Sequence, residues 1–108
     1  MTGKPRLSYL VQILLPLKDN QGRKFPDSFF SEIQDVLTQR FGGVTAYSRA
    51  PAQGIWARGT RKVHDDIVVI EVMTPTPDAS WWRGFRRLLE KTLRQDRVVI
   101  RAQNMKLL

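Results

Sequence analysis

Cysteine is absent from the 108-residue chain, which excludes disulfides, thiol nucleophiles and thiolate metal sites. Histidine is nearly absent: His64 stands alone, so no His-rich zinc set can be assembled. The chain also has no His-Glu-x-x-His run, calcium loop, Gly-x-Ser-x-Gly elbow, P-loop or Gly-x-Gly-x-x-Gly fingerprint. No metal and no cofactor is expected. Long apolar runs are missing too, since nothing approaches the ~18 consecutive apolar residues of a membrane-spanning helix. The first 24 residues are broken by Lys4, Arg6, Pro16 and Lys18 and lack the small-residue cleavage site of a signal peptide. The expected location is therefore cytoplasmic, away from the membrane. Acidic residues are scarce, ten against eighteen Lys and Arg, and the net charge of +8 gathers at the chain ends. Residues 78–108 hold eight basic and three acidic side chains, and residues 1–24 hold five and one. Such a field permits an anionic partner, and it also serves solubility.

What is present suits one small globular domain spanning residues 1–108, with 42% hydrophobic residues to build a core. Leu7 to Leu15 alternates with period two, placing Leu7, Tyr9, Val11, Ile13 and Leu15 on one face and a mixed set including Leu10, Gln12 and Leu14 on the other. Pro16 ends this strand, and residues 16–25 read as a polar loop. From Pro26 to Phe41 the period becomes helical, through Phe29, Phe30, Ile33, Val36, Leu37 and Phe41, and Gly42-Gly43 provides the exit. Val44 to Arg49 reads as a second strand. Residues 50–66, with Pro51, Gly54 and the polar run His64-Asp65-Asp66, read as an irregular hairpin. Ile67 to Met73 is apolar on both faces apart from Glu71, the pattern of an inner strand. Thr76 is the expected cap and Pro77 the first residue of a second helix running to Leu93, whose apolar side is centred on Trp81, Phe85, Leu88, Leu89 and Thr92. A last strand follows over Asp96 to Ala102.

The order strand, helix, strand, strand, helix, strand predicts an α+β, ferredoxin-like β-α-β-β-α-β sandwich, an antiparallel sheet with two helices on one face. Two helices cannot cover both faces of a sheet whose inner strands are apolar on both sides, so a homodimer is expected.

Four features invite a chemical reading. Glu71 lies in the most apolar segment and needs a partner there, for which Tyr9, Tyr47, Arg49 and Arg101 are available. His64 is the simplest acid or base candidate, and with Glu71 it is the pair of catalytic candidates; both also have an ordinary structural reading. Three adjacent ligands on an extended backbone do not converge, so His64, Asp65 and Asp66 read as loop residues, not a cation site. Trp56 has three readings, as a cap on one end of the core, an anchor for a partner or the roof of a pocket. Tyr47, Arg49, Trp56 and Glu71, with His64, would line such a pocket for an anion or small aromatic ligand. Finally, Arg83, Arg87, Lys91 and Arg94 form one stripe along the second helix, able to meet nucleic-acid phosphates without sequence preference. The central strand Ile67 to Met73 lacks the aromatics on which RNA-binding versions of this fold stack bases, so sequence-specific RNA reading is not expected.

Phe25-Pro26, Phe29, the run Arg40-Phe41-Gly42-Gly43-Val44-Thr45, Gly54-x-Trp56 and Gln95-Asp96-Arg97-Val98 together resemble an uncharacterised family of small bacterial proteins of ferredoxin-like fold, over residues 25–102. The resemblance implies the strand order and carries over no catalytic residue. Three functions therefore stay open: a homodimeric interaction or regulatory module, a small-molecule-binding protein or minor enzyme, and non-specific nucleic-acid binding.

Overall fold

The structure, a computed structural model, describes the backbone of residues 6–58 and 61–108 and the side chains of residues 6–46 and 67–108. Its elements follow the expected order: β1 (Tyr9–Pro16), α1 (Asp27–Phe41), β2 (Thr45–Arg58), β3 (Arg61–Thr74), α2 (Ala79–Leu93) and β4 (Val99–Asn104). The four strands form one sheet in the order β2-β3-β1-β4, every neighbouring pair antiparallel, which is an α+β, ferredoxin-like arrangement.

Alternation decides what the sheet buries. Val11, Ile13 and Leu15 of β1 and Val68, Ile70 and Val72 of β3 point to one face, where Phe30, Ile33 and Leu37 of α1 and Trp82, Phe85, Leu89 and Leu93 of α2 close over them. The register sets Ile70, Ile13 and Ile100 side by side across β3, β1 and β4 at the middle of this core. One residue along, the row on the opposite face is Glu71, Gln12 and Arg101. No described element covers that second face.

The helix ends follow local chemistry. Gly42 closes α1 at φ 83°, a conformation that costs an L side chain about 1 kcal/mol or more, and its N–H donates to Thr38 O at 2.8 Å. The start of α2 differs from the expected one. Asp78, not Thr76, is the N-cap, its Oδ1 accepting from Trp81 N at 3.2 Å, and Pro77 lies before the helix. A carboxylate at this position, three residues ahead of the N–H it accepts from, also favours the positive helix end. Asp78→Ala should destabilise by ~1 kcal/mol, read as a lower urea midpoint at unchanged slope.

The buried side of α2 is turned by roughly 60° from the expected one. Trp82, Phe85, Leu89 and Leu93 face the sheet, while Leu88 is 58% exposed and Thr92 lies in solvent. Val36 of α1 is likewise outside the core. Helical periodicity located the apolar sector, but the sheet's position selects which part of it is covered.

The hairpin of β2 and β3 is longer and more regular than the composition of residues 50–66 suggests. Each strand has 14 residues against eight in β1, and β1 pairs with β3 only from Ile67 to Thr74. Beyond that point Gln53–Arg58 and Arg61–Asp66 pair with each other alone among the described residues, a two-stranded ribbon that projects from the sheet. His64, Asp65 and Asp66, read from sequence as loop, therefore have strand backbone. One irregularity survives, a shift of register between Tyr47 and Ala52. Pro51, which has no N–H to give to a ladder, falls in it.

Candidate open-face cleft

The second sheet face is apolar at its margins and polar across its waist. Leu10, Leu14, Val69, Met73 and Val99 occupy alternate positions on β1, β3 and β4, with Met73 43% and Val99 42% exposed. Between them runs a continuous hydrogen-bonded row. Gln12 Nε2 donates to Glu71 Oε2 at 2.8 Å, and Arg101 Nε donates to Gln12 Oε1 at 2.9 Å. The amide of Gln12 thus satisfies a carboxylate with its donor end and a guanidinium with its acceptor end, spanning three strands. Glu71 accepts from Gln12, and Gln12 in turn accepts from Arg101.

Glu71 also lines a cleft of about 510 Å³ at the junction of α1 and β2. Gly42 and Gly43 leave the helix here, Val44 and Thr45 open β2, Leu7 and Leu10 come from the start of β1, and Met73 from the end of β3. Thr45 stands opposite Glu71 in the ladder. Behind Phe41 lies an aromatic stack: its ring is parallel to Trp82 at 5.3 Å and edge-on to Trp81 at 5.4 Å, and the Arg40 guanidinium sits 4.3 Å above Trp81. That stack anchors the floor of the cleft to both helices.

Of the residues singled out from sequence, Glu71 is in this site. The side chains of Tyr47, Arg49, Trp56 and His64 lie outside the described residues, and only their backbone positions are given. Tyr47 takes the register position opposite Val69, next to Glu71 on the ladder, whereas Arg49 falls in the register shift. Trp56 and His64 belong to the ribbon; His64 is seven residues along β3 from Glu71, a separation of roughly 23 Å at strand rise. The backbone thus brings Tyr47 near Glu71 and places Trp56 and His64 at the far end of the molecule. Gln12 and Phe41 were not foreseen as site residues. Gln12 carried a usable signal, being the single polar residue between Leu10 and Leu15, as Glu71 is between Ile67 and Met73.

Arg83, Arg87 and Lys91 are exposed on α2, and Arg94 follows as its left-handed cap at φ 54°. None of the four forms an ion pair among the described residues; the one pair on this helix joins Arg86 Nε to Glu90 Oε2 at 3.8 Å. Among the described residues, no helix is long and apolar enough to cross a membrane.

No protein-family model matches the chain, and no curated protein matches it. Among solved structures it is similar to a phage SAM lyase in complex with S-methyl-5'-thioadenosine, with a TM-score of 0.61 and 12% identity over 96% of this chain and 87% of that one. The same lyase in its apo state aligns with a TM-score of 0.60, 12% identity, and coverage of 96% and 86%. At that identity the likeness is one of fold: a small α+β protein.

Proposed function

We propose that the chain binds a small cationic molecule with an apolar or aromatic body in the cleft at the start of β2, with Glu71 receiving the positive charge. The observation that carries this reading is the chemistry of the lining: among the described residues Glu71 is the one charged side chain, set in walls of Leu7, Leu10, Phe41, Val44 and Met73. A carboxylate beside apolar walls attracts a cation more strongly than one in open water, because the effective dielectric there is lower. The walls take up the apolar body, and Thr45 with the backbone of Gly42 and Gly43 offers hydrogen bonds to orient it. The negative charge of the described lining favours a cation.

The fold likeness suggests the ligand to try first. S-adenosylmethionine presents a sulfonium cation on an adenosine body, and S-methyl-5'-thioadenosine presents the same nucleoside with a neutral sulfur. Titration calorimetry with both should show tighter binding of the sulfonium. Glu71→Gln should weaken that binding ~10- to 100-fold, the worth of one close charge pair beside apolar walls, and leave the neutral thioether nearly unaffected. Unchanged affinity for the sulfonium in Glu71→Gln would overturn the reading. Chromatography of the same mixture reads whether S-methyl-5'-thioadenosine accumulates, which would extend binding to lyase chemistry.

A further inference from the structure

Across β3, β1 and β4, the sheet face away from the helices carries a pattern that is complementary to itself. Along the row Glu71–Gln12–Arg101, an acid and a base stand one strand to either side of Gln12, each roughly 5 Å from it in the plane of the sheet. Two residues further along the strands, Val69 and Val99 stand in the same way on either side of Leu14. We propose that a second copy of this chain covers the face, related by a two-fold axis that runs parallel to β1 between the two sheets and passes over Gln12.

The charges select that axis. Rotation about a line parallel to β1 exchanges the two flanks of the row, so Glu71 meets Arg101 of the partner subunit and Arg101 meets the partner subunit's Glu71. The same rotation sets Val69 against Val99 of the partner subunit and each Leu10 and Leu14 against its own counterpart. A two-fold axis across the strands would instead oppose Glu71 to Glu71 and Arg101 to Arg101, which costs several kcal/mol in such an interface. Sheets packed face to face stand about 10 Å apart, a gap that a glutamate and an arginine bridge together. The dimer is isologous, with each ion pair made twice and both flanked by apolar side chains.

Net charge does not oppose this pairing. Glu71 and Arg101 balance within the described row, while Arg83, Arg87 and Lys91 are on α2, beyond the core and on the far side of each subunit. At that separation their repulsion across the dimer is screened at ordinary ionic strength.

Sedimentation equilibrium on the full chain decides the matter. The parent should have twice the 12.5 kDa chain mass, or 25 kDa. Arg101→Glu, a change at an exposed side chain, should weaken association at least about thirtyfold with the circular dichroism spectrum unchanged. The double variant Glu71→Arg with Arg101→Glu should recover the dimer, because the exchange is symmetric. Leu14→Asp should dissociate it by a second route. A parent that is monomeric at ~0.1 mM, a trimer or larger ring, or a dimer indifferent to Arg101→Glu would each overturn the proposal. These masses are read on protein without ligand, because a cation in the cleft would compete with Arg101 of the partner subunit for Glu71.

Discussion

Trp82→Ala is expected to lower stability by ~3–5 kcal/mol, a third or more of what a domain of this size usually possesses. Trp82 is 7% exposed and sits where both helices and the sheet meet. Its ring lies parallel to Phe41 and edge-on to Trp81 at 4.8 Å and Phe85 at 6.0 Å, so truncation removes the centre of the aromatic stack and leaves a cavity that rigid rings cannot fill. Trp82→Phe should cost far less, under ~2 kcal/mol, for a reason particular to this site. The buried indole Nε1–H has no hydrogen-bond partner among the described residues, so its deletion relieves an unpaid desolvation of ~1–3 kcal/mol that partly offsets the lost ring area. Urea denaturation of the two variants checks the contrast. Equal losses would mean that the indole N–H is satisfied.

Ile13→Ala should cost ~2–5 kcal/mol, with Ile13→Val at ~0.5–1.5 kcal/mol. Ile13 has no exposed surface and stands at the centre of the Ile70–Ile13–Ile100 row, with a cross-strand neighbour on either side. Inner strands pair along both edges and cannot shift independently, so the cavity beneath the helices stays open and the cost falls toward the upper end. The ratio between the two variants, measured by the same denaturation series, separates cavity formation from loss of strand propensity. A valine loss as large as the alanine loss would contradict that account.

The order of elements was legible because Leu7–Leu15 alternates with period two, Ile67–Met73 is a short apolar run of the inner-strand kind, and Pro26–Phe41 and the second helix repeat near 3.6. Gly42 announced the end of α1, since only glycine adopts its positive φ without strain. The length of the β2–β3 hairpin was not legible. The backbone of Arg61 to Asp66 pairs with β2 alone among the described strands, and this largely polar segment resembles a loop in composition while having strand backbone. The orientation of α2 escaped for a different reason, because Trp81, Trp82, Leu88 and Leu89 form one wide apolar sector and the sheet covers only part of it. Glu71 was legible as a lone charge in an apolar strand. The cleft was not, since its lining comes from the ends of four elements that touch only in three dimensions.

The projecting ribbon changes how this molecule moves. With principal extents of 57, 28 and 27 Å it is about twice as long as it is wide, and it therefore experiences more friction than a sphere of equal mass. A single chain of this shape should elute early on gel filtration and tumble slowly about its short axes, so that elution volume alone would make it look like a larger particle.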